Sequence, residues 1–342
     1  MRVAFVTQAP LSLAFGGAEV QALRTAEALR GVGVEVEFLD PWRPTFDSDL
    51  LHCFTSEYQL AEIVLRARGR GIPTVTSAVF APKHRALFYR AWGVVDGFLP
   101  LRTSFGMRCD VLNASDAVIA LSYREARDLR TFFGVDTRAI HVVGNGADER
   151  FFTASPDEFV ARYRLDQVVL HVGSLEPVKN QLRLIEALDD AGVPLVLIGR
   201  RQAREPVYAD QVVRRLDRAP RAAWLGELPH DSTLLASAFA AAKVLALPSL
   251  TEAQPLAALQ AAAAGANLVL SDLPYLRDTF GSDAWYCNPR SPASIRRAVL
   301  DAYATPRGAR YTAKPNWLLT WTDVALRLRD IYAEVLARRG RR

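Results

Sequence analysis

The sequence predicts an α/β protein made of two doubly wound domains in series, each a parallel sheet covered by helices on both faces. Three observations predict it. Short, nearly continuous apolar runs rich in β-branched residues alternate with amphipathic stretches, the pattern of strands buried on both faces. The alternation stops at a polar segment near Thr153 to Gln167 and then restarts. The length, 342 residues, suits two domains of common size.

In the first half, VAFVTQ, VEVEFLD, LLHCFT, TVTSAV, AVIALS and AIHVVG read as strands, and VQALRTAEALRG and REARDLRTFFGV as helices. The segment from Thr153 to Gln167 reads as a linker. Beyond it VVLHVGS, PLVLIGR, AAWLGEL, AKVLALPS and NLVLSD read as strands, with LRLIEALDDAG and ASIRRAVLDAYA helical between some of them. The last segment, Trp317 to Leu336, is expected to be a helix, its apolar positions interleaved with arginine and aspartate. The expected layout is a first domain over 1–155, a second over 165–312, and C-terminal helices over 313–342. Ligands of such domains bind beyond the carboxyl ends of the strands.

Composition narrows the class. Half of the residues are hydrophobic and 23% are charged, an ordinary globular balance. Cys53, Cys109 and Cys287 lie far apart with neither CxxC nor metal-ligand spacing, so they read as reduced, structural thiols of a cytoplasmic protein. The five histidines form no metal motif. No signal-like apolar region opens the chain, and no apolar run approaches the ~20 residues that span a bilayer. A net charge of +5 is compatible with an anionic partner such as a nucleotide, a phosphate or a membrane surface. The tail ARRGRR reads as a solvated helix end; no nucleic-acid partner is expected.

Neither GxGxxG of a dinucleotide dehydrogenase nor GxxxxGK[ST] of a P-loop follows the first strand. A loop with Gly16 and Gly17 opens a helix there instead. Paired glycines let backbone approach a ligand, and the free N–H groups and dipole of a helix start favour an anion. After the strand VVLHV come Gly173, Ser174 and Lys179; Lys179 is a flexible cation able to neutralise a diphosphate. The stretch LPSLTEAQPLAALQAAAAG then carries an apolar strand end, Glu252 in a loop, Gln254, Pro255 in the first helical turn and Leu256 beyond it. Gln260 stands in an otherwise alanine- and leucine-rich helix, leaning back toward the helix start. A buried amide without a partner costs on the order of 1 to 3 kcal/mol. Its partner is either a ligand hydroxyl or a backbone carbonyl of a neighbouring loop.

Taken together, GGAE, DLLHCF, SDAVIALSYREARDL, NGADERFF, HVGSLEPVKNQLRLIEAL, WLGELPHDSTL, PSLTEAQPLAALQAAAAG and the late TW resemble, in order and over nearly the whole chain, segments of the retaining nucleotide-sugar glycosyltransferases of family four. That resemblance implies the GT-B fold: two Rossmann-like domains facing across a cleft, with the last helices crossing back to the first domain. It implies a nucleotide-diphosphate sugar on the second domain, a UDP-sugar favoured and a GDP-sugar next, and an acceptor on the first. No separate cofactor and no metal is implied, and sugar is transferred with retention. Glu252 matches the first glutamate of the family's pair, near the reacting sugar carbon, and Gln260 the second, which holds the ribose. Lys179 matches the diphosphate lysine, and Leu228 falls where the loop after LGE borders the base.

This sequence departs from the family at several positions. Ser174 stands where many members carry a phosphate-binding arginine, so Arg200 or Arg201, directly after VLIG, is a candidate replacement. Pro255 has no N–H to offer a phosphate. Gln260 lacks charge assistance. No histidine occurs in TVTSAVFAP; His84 lies a few residues later. A non-catalytic nucleotide- or glycan-binding subunit and a nucleotide-sugar epimerase therefore stand beside the enzyme. The segment APKHRALFYRAWGVVDGFLPLRTSFGMR, with Lys83, Arg85, Arg90, Arg102, Arg108, Phe88, Tyr89, Trp92 and Phe98, suits a peripheral membrane contact or a large glycosidic acceptor, and equally core aromatics with solvated charges. Glycan, lipid-linked and natural-product acceptors all remain open.

Overall fold

The structure is a computed structural model that describes residues 1–10, 16–82, 88–89, 91–93, 102–311 and 314–339. His84, Lys83, Arg85, Arg90 and Phe98 lie outside the described residues, as does the end of the tail. The chain divides into two compact units, Met1–Gly146 with Leu319–Arg342, and Ala147–Leu318.

The first unit is built on a six-stranded parallel sheet of β1 (Arg2–Val6), β2 (Glu35–Phe38), β3 (Leu50–Phe54), β4 (Thr74–Ser77), β5 (Ala117–Ala120) and β6 (Ile140–Val142), in the order β2-β1-β3-β4-β5-β6. Strands β3, β4 and β5 are buried along their whole length, which is why their sequences are apolar without alternation. The polar residues among them are satisfied inside the core. His52 on β3 meets the Tyr332 hydroxyl at 2.5 Å through Nδ1 and the Ser77 hydroxyl at 2.9 Å through Nε2. Burial pushes the His52 pKa down to about 3, so the ring is neutral. Glu125, at the start of helix Tyr123–Phe133, accepts the backbone N–H groups of Phe80 and Leu121, both at 2.7 Å. It thereby ties together the chain segments leaving β4 and β5.

Tyr332 belongs to the terminal helix Trp321–Arg339, which packs on helix Gly17–Gly31 of the first unit. This helix begins at Trp321 rather than at the expected Trp317. Thr320 and Asp323 set the start: the Thr320 N–H donates to Asp323 at 2.9 Å and the Asp323 N–H to the Thr320 hydroxyl at 3.1 Å, a reciprocal cap. Leu319–Thr320 just before it is a two-residue strand, β14, and Gly146 begins another, β7 (Gly146–Ala147). A Cβ on Gly146 would lie 2.6 Å from the Trp321 nitrogen, so only glycine admits this approach. At the far end Arg339 donates to both Asp116 oxygens, at 3.0 and 3.1 Å, and Arg338 pairs with Glu334. The described arginines of the tail are thus spent on ion pairs of the helix end.

The second unit carries another six-stranded parallel sheet: β8 (Val168–Val172), β9 (Leu195–Ile198), β10 (Ala222–Trp224), β11 (Ala242–Leu247), β12 (Asn267–Ser271) and β13 (Trp285–Cys287), in the order β10-β9-β8-β11-β12-β13. Two apolar clusters pack on it, one around Phe151, Phe159, Phe239 and Phe280, the other around Leu184, Ile185, Leu197 and Ile295. Strand β13, with only three residues, has no recognisable period in the sequence. The segment expected to be a linker contains helix Asp157–Tyr163, whose Phe159 is fully buried and whose Phe159 N–H donates to the Ser237 hydroxyl at 2.9 Å. It belongs to the second unit's core because one large aromatic anchors an otherwise polar turn of helix. Burial raises the Cys53 and Cys287 thiols to about 12, and all three cysteines are free. No helix among the described residues is long and apolar enough to cross a membrane.

Candidate functional site

In the second unit the first strand, β8, has β9 on one side and the fourth, β11, on the other. The direction of winding reverses between β8 and β11, and a crevice opens beyond the carboxyl ends of the strands at such a switch point. Lys179 follows β8 and Glu252 follows β11. The structure brings them together: Lys179 Nζ lies 2.8 Å from Glu252 Oε1.

The local chain path explains the meeting. Pro177–Lys179 form a single 3-10 turn, and Asn180 closes it in the left-handed region at φ 62°. Asn180 tolerates that conformation because its side-chain amide donates to the Pro248 carbonyl at 2.9 Å and the Pro289 carbonyl at 2.7 Å. The Leu250 N–H donates to the Val178 carbonyl at 2.8 Å. The loop after β8 is thus sewn to the loop after β11, and Lys179 reaches the carboxylate from a fixed base. Burial works against the Lys179 ammonium, but the charge and hydrogen bond of Glu252, with Glu176 behind them, outweigh it and hold its pKa above the ordinary lysine value.

Gly173 and Gly199, at the ends of β8 and β9, are in close contact. A Cβ on Gly199, whose φ is 151°, would overlap the Gly173 carbonyl. The approach places the two following loops in register: the Leu175 N–H donates to the Arg200 carbonyl at 2.8 Å. The Ser174 hydroxyl donates to Glu176 at 2.8 Å and its carbonyl accepts from Gln181 at 2.7 Å. Of the two arginines considered as replacements at this point, Arg201 is ion-paired with Asp210, whereas Arg200 has no ion-pair partner among the described residues.

On the other side of Glu252, Gln254 is buried and helix Leu256–Ala263 starts directly after Pro255. Leu256 and, on the loop after β10, Leu228 are half-buried against the apolar cluster around Phe239. Gln260 is buried and its amide nitrogen lies 3.3 Å from His230 Nε2. Its protein partner is therefore an imidazole, not the backbone carbonyl considered from the sequence. His230 comes from the loop after β10, and its own carbonyl accepts from Arg150. Nothing in the spacing of His230 singles it out; only the fold brings it to Gln260.

His171 on β8 is a second histidine the sequence did not single out. It is fully buried and Nδ1 lies 2.8 Å from the Ala246 carbonyl. A carbonyl only accepts, so Nδ1 carries the proton and Nε2 is left as a lone-pair acceptor; that atom has no hydrogen-bond partner among the described residues. A Cβ on Gly173 would touch both His171 Nε2 and the Lys179 stem at 3.6 Å, which places this acceptor under the lysine. Burial lowers the His171 pKa to about 4.

Gly16 and Gly17 belong to the first unit, at the start of helix Gly17–Gly31. The Gly16 N–H, expected to be free for an anion, donates to the Glu19 carboxylate at 2.8 Å. The carboxylate does at this helix start what a bound anion would do, because it satisfies an exposed amide and complements the dipole. Among the described residues nothing lies within 4 Å of a Cβ placed on Gly17. Among the described residues no group of three or more His, Cys, Asp or Glu is arranged to hold a metal ion.

Comparison with known proteins agrees with this architecture. Residues 166–305 match the family model described as glycosyl transferases group 1, and residues 39–151 the one described as glycosyltransferase family 4. The chain is 29% identical over 250 residues to the D-inositol 3-phosphate glycosyltransferase of Xylanimonas cellulosilytica, covering 68% of this chain and 60% of that protein. It is 28% identical over 360 residues to a glycogen synthase of Mycobacterium tuberculosis, covering all of this chain and 82% of that one. The chain spans about half the length of the first curated relatives it matches, 60%, 42% and 39% of them. Among solved structures, sucrose-phosphate synthase from Thermosynechococcus elongatus superposes with a TM-score of 0.77 at 18% identity, covering 98% of this chain and 99% of that one. HepE of Anabaena in complex with UDP-glucose superposes with a TM-score of 0.75 at 16% identity, covering 98% and 100%.

Two Rossmann-like sheets, with a terminal helix returning to the first unit, define a protein of the GT-B fold. Within that class the chain belongs to glycosyltransferase family four, the group 1 glycosyl transferases.

Proposed function

We propose that the protein transfers a sugar from a nucleoside diphosphate to an acceptor hydroxyl with retention of anomeric configuration. The observation that carries this reading is the contact between Lys179 and Glu252 at the switch point of the second sheet. A departing diphosphate needs fixed positive charge, and a sugar carbon becoming oxocarbenium-like needs a carboxylate or polar oxygen beside it. Lys179 supplies the first from a sewn-down loop, in its charged form. Glu252 supplies the second from the loop after β11.

The donor has to share or divide this ion pair on binding, its diphosphate replacing Glu252 as the partner of Lys179. Arg200, without an ion-pair partner among the described residues, adds a guanidinium to the same diphosphate, with Ser174 and the helix start at Leu256 near it. Gln254 lines the sugar, Gln260 bonds the ribose hydroxyls and Leu228 borders the base. Gly17 and the amide of Gly16, once released by Glu19, offer an anion site at the helix start of the first unit. A uridine diphosphate sugar is the first choice of donor, with guanosine second; HepE, of the same fold, is described with UDP-glucose. The acceptor is the hydroxyl of a glycan, a lipid-linked sugar or a natural product, and no metal is required.

A thermal-shift panel of UDP-, GDP-, ADP- and dTDP-sugars tests the reading. A ligand that binds only the folded form stabilises it by about 2.7 kcal/mol at a hundred times its Kd. The UDP-sugars are expected to raise Tm, and Glu252→Ala to abolish donor hydrolysis and transfer. Silence of all four sugar classes rejects the proposal. Loss of activity in a chelator, restored only by a divalent ion, rejects its metal-free form.

A further inference from the structure

Two of the described histidines are fully buried, and they differ in how their ring nitrogens are used. His52 on β3 engages Tyr332 with one nitrogen and Ser77 with the other. His171 on β8 donates from Nδ1 to the Ala246 carbonyl at 2.8 Å, while the lone pair of Nε2 meets no hydrogen-bond partner among the described residues. A bare acceptor inside a core loses its hydration without return. The neighbours Val169, Leu170 and Val172 show that apolar side chains suit this strand. The imidazole is therefore costly here unless Nε2 has a donor to receive.

Its surroundings name the donor. A Cβ built on Gly173 would stand 3.6 Å from His171 Nε2 and 3.6 Å from both Cγ and Cδ of Lys179. Imidazole and lysine stem thus face each other across the room a methyl would take, and glycine at 173 keeps that room clear. The base of Lys179 is fixed by the turn Pro177–Lys179, but the end of its side chain is free to rotate. At rest the ammonium is held by Glu252, 2.8 Å away. An ammonium has three N–H groups and no lone pair, so removal of the carboxylate leaves a largely enclosed cation short of an acceptor. Burial, with the charge of Lys179 adding to it, keeps the His171 ring neutral, and its lone pair stays open.

We propose that His171 is a positioning residue that receives the Lys179 ammonium on Nε2 when Glu252 releases it. The lysine has two seats: the carboxylate in the free protein, and the imidazole once Glu252 turns to other partners. This deepens the transfer reading by saying what holds the cation in place while the donor divides the ion pair. Only that timing rests on the transfer reading; the capture of the ammonium does not.

The test is competitive acetylation of the full chain by trace acetic anhydride at one mildly alkaline pH, the Lys179 adduct being followed by mass spectrometry against that of Lys243. It needs no donor, so its outcome is independent of whether any nucleotide sugar binds. Two replacements divide the imidazole between them: His171→Asn keeps an amide N–H near the position of Nδ1, and His171→Gln sets an amide oxygen near that of Nε2. Both give up ring packing, so a loss of stability alone does not separate them. Glu252→Ala supplies the released state. In that background His171→Asn is expected to speed acetylation of Lys179 about tenfold, as the loss of one hydrogen bond to a charged group implies, and His171→Gln to leave the rate unchanged. Gly173→Ala, which sets a methyl between the partners and keeps the imidazole, is expected to act as His171→Asn does. With Glu252 in place all three variants are expected to label like the parent. The proposal is overturned if either His171→Asn or Gly173→Ala leaves the rate in Glu252→Ala unchanged, if His171→Gln frees the lysine as His171→Asn does, or if the effects are as large with Glu252 in place.

Discussion

Lys179 and Glu252 are 73 residues apart in the chain and 2.8 Å apart in space, on the two loops that flank the reversal of winding in the second sheet. The contact does two jobs. It neutralises two largely buried charges, and under the proposed function it keeps a cation and a carboxylate ready for a diphosphate and its sugar.

The two jobs separate by mutation. Lys179→Met keeps most of the stem and leaves Glu252 without its cation, and breaking one partner of a buried pair costs about 3 to 5 kcal/mol. Lys179→Met with Glu252→Gln removes both charges and is expected to recover most of that stability. Transfer is expected to fall by about 10² to 10³ in kcat in the single variant and to stay low in the double. Urea melts and initial rates on all three proteins check this; recovery of activity together with stability would show that the pair is only structural.

Gln260 and His230 make the second prediction. Gln260→Glu places a carboxylate where the amide now meets His230 at 3.3 Å, and a charged acceptor binds ribose hydroxyls about twice as strongly as a neutral one. The Kd for UDP is expected to drop roughly threefold to tenfold by calorimetry. His230→Ala removes the amide's neighbour and is expected to cost about 1 kcal/mol in stability. If Gln260→Glu leaves the UDP affinity where it was, Gln260 does not face the ribose.

A pair of glycines gives opposite outcomes. Gly199→Ala drives a methyl into the Gly173 carbonyl at a backbone angle of 151°, so the ends of β8 and β9 have to part. A loss of about 3 kcal/mol or more in stability is expected, with donor affinity falling because Arg200 moves. Gly17→Ala meets nothing within 4 Å among the described residues and sits in the first turn of a helix, so stability is expected to rise by up to about 1 kcal/mol. If the proposed anion site at this helix start takes part in turnover, that same methyl lowers kcat/KM while Tm rises. Unchanged kinetics would remove Gly17 from the site.

Most of the fold was legible as buried apolar runs, because interior parallel strands such as β3 and β5 need no polar face. β13 escaped, since three residues carry no period. The Asp157–Tyr163 helix escaped because one buried Phe159 outweighs its polar surroundings, an outcome of packing that a local window does not contain. Of the candidate site, residue types and loop positions were readable, but contacts were not. The sewing of Leu250 to Val178 that lets Lys179 meet Glu252 is a backbone bond between distant loops. His230 is visible only through its contact with Gln260, and the Gly16 amide is taken up by Glu19, a contact set by the carboxylate's rotamer rather than by residue type.

The last prediction concerns two buried groups of the first unit that titrate in opposite senses. His52 has its pKa lowered by burial to about 3 from an ordinary 6.5, so below pH 6.5 the unfolded chain binds a proton the native one refuses, and stability falls with acid down to about pH 3. Glu125 has its pKa raised by burial to about 7 from 4.5, against the two N–H groups that favour its charge. Between pH 7 and 4.5 the native state therefore holds a proton the unfolded chain has lost, and stability rises as pH falls. From pH 6.5 to 4.5 the two effects oppose and largely cancel. Glu125→Gln removes one of them. The variant is expected to be less stable at every pH, since an amide cannot accept both the Phe80 and Leu121 N–H groups, and the deficit is expected to grow by roughly 1 to 1.5 kcal/mol per pH unit on going from pH 6.5 to 4.5. Urea melts of the two proteins across that range measure the difference directly, and parallel curves would mean that Glu125 stays ionised in the native core.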